Sequence, residues 1–298
     1  MNPATADAAQ EVYALVDELD GGGSILADAA ADVFLAEFVG RFHPDVPPQG
    51  LRLAMLSHLV FFGHEARFEQ GGGHRLSLQE LDGVYDRALA VFDGAAAAPS
   101  DKLITHILER FGTAVRTFDR PEISARIHTT LEGYLRALWE HDFRNRRKMP
   151  SLATYQAMRP DTASQVLHFE LFPLICDLDV PVTLLEHPVV RRLQGMQQNY
   201  SCWVNDVFSL AKEMKEDGAL NLVFVLREAR NLSLQQAVDA AAGLIREEAT
   251  DYLDLKARLP HLGVPLNSAL AELLDEEERW NARAISYQQR APRFSVTR

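Results

Sequence analysis

Residues 205–213 read "NDVFSLAKE". On an α-helix each residue turns by about 100°, so residues four apart share a face. Asn205, Ser209 and Glu213 therefore form one stripe of a carbonyl oxygen, a hydroxyl and a carboxylate. Three oxygen donors on one face suit a hard divalent cation, Mg²⁺ above all, whose shell is completed by waters and phosphate oxygens. Lys212, next to Glu213, can reach the same anion. A solvated polar face has the same spacing on many helices. Here Trp203, Val204, Val207, Phe208 and Leu210 make much of the remaining surface apolar, which argues for a buried helix instead.

Outward from this stretch the chain reads as helix after helix. Apolar residues recur at three- and four-residue steps over 25–42, 51–69, 78–92, 104–118, 125–148, 151–159, 163–176, 188–216, 232–259 and 267–289. Gly and Pro mark most of the breaks, in "DGGGS" (20–24), "HPDVPPQG" (43–50), "GGGH" (71–74) and "LGVPLN" (262–267). No alternating strand pattern, internal repeat or long linker interrupts the series. The expectation is an all-α fold, a single-domain helical bundle of about ten helices over 1–298. Residues 1–24 are expected to be a flexible start.

Composition narrows the function. The chain has 298 residues, 47% of them hydrophobic, enough for a sizeable core. A net charge of -12 argues against a general affinity for nucleic acid or anionic membrane, so an anionic substrate needs a local basic pocket or bridging cations. Cys176 and Cys202 suggest no disulfide framework. No targeting peptide or run of about 18 apolar residues stands out, so a cytoplasmic protein without a membrane span is expected.

"NDVFSLAKE" resembles the second metal-binding motif of class I terpene synthases, N-D-x-x-S-x-x-K-E, with all five fixed letters present. The text around it is similar to the microbial single-domain members over about residues 50–230. "YLRALWEHDFRNRRKMPSLATYQAMR" (134–159) resembles the segment ending in that family's diphosphate-sensing arginine, here Arg159. "NLVFVL" (221–226) resembles the segment after the motif. The resemblance implies a bundle around an apolar cavity, three Mg²⁺ ions, and ionisation and cyclisation of a prenyl diphosphate. It also implies that a C-terminal arginine, Arg293 or Arg290 within a closing segment 290–298, seals the diphosphate, and that a homodimer is common.

The family's Asp-rich first motif falls on "EARFE" (65–69). Glu65 and Glu69 keep the i, i+4 geometry, but one carboxylate is gone and Arg67 adds a cation. Glu65 can bridge the metals, or another carboxylate can substitute. Glu170, eleven residues after Arg159, shares its face if one helix runs through. A binding protein that has lost ionisation, and a chain-elongating prenyltransferase, stay open as alternatives. Phe61, Phe62, Phe169, Phe208, Trp280 and Tyr287 are the candidate aromatic walls, and "ICDLDV" (175–180) the candidate helix break facing the breaking bond. The altered first motif tilts the expected substrate toward geranylgeranyl diphosphate, with farnesyl diphosphate close behind.

Overall fold

A computed structural model describes residues 1–20, 35–70, 78–101, 103–138, 148–215 and 219–289; the side chains of 20, 62–70, 78 and 81 are not among those described. Among the described residues every regular element is helical: α1 (Thr5–Asp20), α2 (Leu35–Phe42), α3 (Pro48–Gln70), α4 (Leu78–Phe92), α5 (Leu103–Arg116), α6 (Pro121–Leu138), α7 (Leu152–Thr162), α8 (Gln165–Ile175), α9 (Val182–Leu185), α10 (Pro188–Glu213), α11 (Leu222–Ala229), α12 (Leu234–Arg258) and α13 (Ser268–Gln288). The chain forms two compact units. One comprises Met1–Trp139 with Glu170–Leu178, the other Glu140–Phe169 with Asp179–Arg298.

In the first unit α4 packs on α5, α5 on α3, and α1 on α3. Leu51, Met55, Leu59, Phe111, Leu131 and Phe172 are fully buried in its core. Two glycines set how closely the elements approach. A Cβ at Gly112 would lie 2.2 Å from the Phe92 carbonyl oxygen, and one at Gly50 would lie 2.0 Å from that of Ile175. The start of the chain is helical where a flexible segment was expected. In α1, Ala8, Ala9, Val12 and Val16 are buried at helical spacing. Asn2 ties this end down, its Nδ2 donating to the carbonyls of His43 and Val46, both at 2.9 Å.

In the second unit α10 packs against α12, α13 and α7, and α11 against α12. The helix starts follow side-chain chemistry. Ser151 caps α7 and Asn267 caps α13, each accepting from a backbone N–H three residues on. Pro188 opens α10. Ser233 and Gln236 form a reciprocal capping box at α12.

The expected helix over 151–159 runs on to Thr162 with Pro160 in its last turn. The chain then breaks at Ser164, whose φ of 57° is left-handed, before α8 begins. A second left-handed residue, Asp177 at φ 51°, follows the end of α8, so the chain also breaks within "ICDLDV", ahead of α9.

His58 lies on α3, 4% exposed, with the rings of Phe38 and Phe61 centred 5.1 Å and 5.7 Å away. Burial lowers its pKa to about 4, against the opposing pull of the Ala54 carbonyl, which accepts from Nδ1 at 2.7 Å. The unfolded chain takes up this proton near the ordinary value of about 6.5, so the stability that neutral His58 contributes is complete above that pH and is lost as pH falls toward 4. Equilibrium unfolding of wild type and His58→Phe should therefore show the wild type losing about 3 kcal/mol relative to the variant between pH 7 and pH 4. A pH-independent difference would refute this.

Candidate functional site

The centre of the site is Asp206, which has no exposed surface. It follows Asn205 on α10, about 100° round the helix, and is fully buried where Asn205 is half-buried. Its Oδ1 accepts from Arg159 Nε at 3.1 Å and Nη2 at 2.6 Å. Its Oδ2 accepts the backbone N–H of Leu222 at 2.6 Å and the Tyr155 hydroxyl. Tyr155 and Arg159 are four apart on α7, so a single helical face delivers both.

The stripe follows the expected register along α10. Ser209 is buried, and Asn205 and Glu213 are half-buried. Asn221, the N-cap of α11, donates from Nδ2 to the Asp206 carbonyl at 2.7 Å and to Glu213 Oε2 at 2.8 Å. Burial, reinforced by the charge of Asp206, pushes the Glu213 carboxyl above its ordinary value. Arg159 and hydrogen bonds from Asn221 and Ser209 pull it back. At Arg159 burial opposes the charge, and Asp206 outweighs it, holding the guanidinium firmly protonated. Tyr155 is pushed up by burial and by Asp206, so it remains a hydroxyl donor. Burial also pushes the Cys202 thiol up to about 12, which leaves it neither nucleophile nor ligand.

This donor set fits a hard cation. It offers a carbonyl, a hydroxyl and one carboxylate whose burial opposes its charge in the protein alone, and a divalent ion would relieve that. Such an ion completes its shell with waters and phosphate oxygens. Lys212 is half-buried immediately before Glu213.

The aromatic candidates divide between the units. Phe169 is buried in the second unit with its ring edge-on to Trp280, the centroids 6.1 Å apart. His168 lies 4.8 Å from the same indole. Phe208 and Tyr287 are half-buried in that unit. Phe61 is buried in the first unit against Tyr134, 5.8 Å away. Glu65 and Glu69 fall on α3, but their side chains and that of Phe62 lie outside the described residues, as do Arg290 and Arg293 altogether.

Glu170 does not share a helix with Arg159. The break at Ser164 removes the register, and both carboxylate oxygens of Glu170 accept from Arg126, at 2.6 Å and 2.9 Å. Asp177 pairs with Arg120 at 2.9 Å. Sequence reasoning passed over Tyr155 and Asn221 and gave Asp206 no role. The spacing Tyr155-x-x-x-Arg159 and an Asn directly before the apolar run "LVFVL" were the available signals.

Removing one partner of a buried, hydrogen-bonded ion pair strands the other. Asp206→Ala should therefore cost on the order of 3–5 kcal/mol in urea unfolding. A loss below about 1 kcal/mol would mean that the network does not hold α7, α10 and α11 together.

A model of terpene synthase family 2, C-terminal metal binding, matches residues 61–251, more than half of the chain. A (+)-T-muurolol synthase ((2E,6E)-farnesyl diphosphate cyclizing) from Roseiflexus castenholzii is 29% identical over 241 residues, 80% of this chain and 73% of that protein. Sesquiterpene synthase 3 of Postia placenta is 25% identical over 81% of this chain, which spans 65% of the relative's length. Germacradien-4-ol synthase from Streptomyces citricolor superposes with a TM-score of 0.80 at 20% identity, over 96% of this chain and 94% of the other. The fold is thus the class I terpenoid synthase helical fold, and with the metal-binding family match over 61–251 the chain belongs to the class I terpene synthases, lyases that act on prenyl diphosphates.

Proposed function

We propose that this protein ionises and cyclises farnesyl diphosphate, releasing diphosphate and a C15 terpene hydrocarbon or alcohol in a Mg²⁺-dependent reaction. The observation that carries the reading is the stripe Asn205, Ser209 and Glu213 beside an Arg159 fixed by Asp206. The tilt toward geranylgeranyl diphosphate gives way to farnesyl diphosphate because the relatives named above are a farnesyl diphosphate-cyclising enzyme and a sesquiterpene synthase.

In this reading Asn205, Ser209 and Glu213 hold metal, and Glu65 and Glu69 serve as a shortened first motif. Bound Mg²⁺, three ions by family resemblance, supplies charge neutralisation for the leaving diphosphate. The protein's own part is positional and electrostatic. Arg159 is already oriented and firmly protonated, so it meets the developing negative charge without reorganising. Lys212 and Arg293 add positive charge, which a chain of net charge -12 must concentrate locally. Phe169, Phe208 and Trp280 offer π-faces to a carbocation, and exclusion of water prevents early quenching.

Purified protein incubated with Mg²⁺ and geranyl, farnesyl or geranylgeranyl diphosphate should yield a cyclic product from the farnesyl substrate by gas chromatography–mass spectrometry. Asn205→Ala and Glu213→Ala should each lower product formation by at least about 100-fold, near 2.7 kcal/mol of transition-state stabilisation. Glu65→Ala should do the same if that carboxylate binds metal. A preferred C20 substrate would overturn the chain length. The absence of any product, with diphosphate still bound, would favour an isoprenoid-binding protein.

A further inference from the structure

We propose that Asn221 is a positioning residue for the metal site, orienting Glu213 from the start of the neighbouring helix. This inference rests on the reading of Asn205, Ser209 and Glu213 as metal ligands. Asn221 is fully buried, and its side-chain amide makes three bonds. Oδ1 accepts the Val223 backbone N–H at 2.8 Å, which caps α11. One hydrogen of Nδ2 goes to the Asp206 carbonyl at 2.7 Å and the other to Glu213 Oε2 at 2.8 Å. One planar group thus fixes a helix start, a backbone carbonyl and a ligand carboxylate, which leaves it a single orientation.

The next residue tightens this. The Leu222 N–H donates to the Asp206 carboxylate at 2.6 Å, so residues 221 and 222 grip the backbone and the side chain of the same aspartate. Asp206 and Glu213 are seven apart on α10, two turns along nearly one face. Asn221 spans that interval, and its bond to Oε2 sets the rotation of the Glu213 carboxylate relative to the helix. Outer partners of this kind orient metal ligands, and their loss typically costs 10- to 100-fold in metal affinity.

Capping and clamping can be separated. Serine is as good an N-cap as asparagine, but it is too short to reach Glu213. Asn221→Ser should keep its melting temperature within about 4 °C of wild type. Mn²⁺ binding in the presence of inorganic pyrophosphate, followed by electron paramagnetic resonance, should weaken at least about tenfold. Its Mg²⁺ requirement for turnover should rise correspondingly, with activity recovering at high Mg²⁺. Wild-type Mn²⁺ affinity in the folded variant would overturn the proposal and reduce Asn221 to a helix cap. If Asn221→Ser does not fold, Asn221→Asp, isosteric and equally able to cap, carries the test. It puts a second carboxylate against Glu213, and the affinity must depart at least about tenfold from wild type; an unchanged affinity overturns the proposal. If the wild type itself binds no Mn²⁺ with pyrophosphate, the metal-site reading fails first and takes this inference with it.

Discussion

The second unit is organised by one buried negative charge. Taking a carboxylate out of water costs several kcal/mol, and a single arginine seldom offsets that. Asp206 is matched by four donors: two guanidinium N–H groups, a phenol and a backbone N–H. These come from α7 and from the start of α11, so the requirement to satisfy one carboxylate fixes both elements against α10. Apolar packing of Trp203, Val223, Val225 and Ala237 closes the same region without specifying rotation or register. The polar network specifies both, because each bond fails if a helix slides by one residue.

This arrangement divides the helix that carries it. Asp206 and Trp203 are committed to structure, while Asn205, Ser209 and Glu213 run as a stripe that drifts toward the Asp206 face over two turns. Arg159 joins the two. It neutralises Asp206 and is thereby held, charged and oriented, close enough to Glu213 to act on its carboxyl. Arg159 is thus fixed by protein groups, and a fixed charge is the condition under which electrostatic stabilisation is most effective.

Much of this was legible in the sequence. The period of 3.6 gave the helices, Pro188 marked the start of α10, and the four-residue spacing placed the stripe on one face. Periodicity gives the face a residue occupies and is silent on its partner. Asp206 shows the difference: its position next to Asn205 was visible, but its match with Tyr155, 51 residues earlier, and with Leu222, 16 later, is set by tertiary packing. The break after α7 was misplaced for a related reason. Separate helices over 151–159 and 163–176 put the break at 160–162, yet Pro160 sits in a final helical turn, and the chain actually turns at Ser164, a serine in a left-handed conformation that its residue type does not announce.

Glu170 shows how far spacing alone carries. By spacing it was a reasonable substitute for the missing carboxylate of "EARFE", since eleven residues make three turns of an uninterrupted helix. In the folded chain it accepts two bonds from Arg126, and both side chains are largely buried, 14% and 18% exposed. Recruiting it to a metal would break both of these largely buried bonds, which is costly. A metal ion would have to outweigh that before contributing anything to the site. The backbone positions of Glu65 and Glu69 on α3 preserve the spacing by which two carboxylates share a helical face. The bonds that hold Glu170 to Arg126 thus weigh against a first motif rebuilt from that carboxylate, and so support the proposal that the motif is altered in place, with glutamates standing where the family has aspartates.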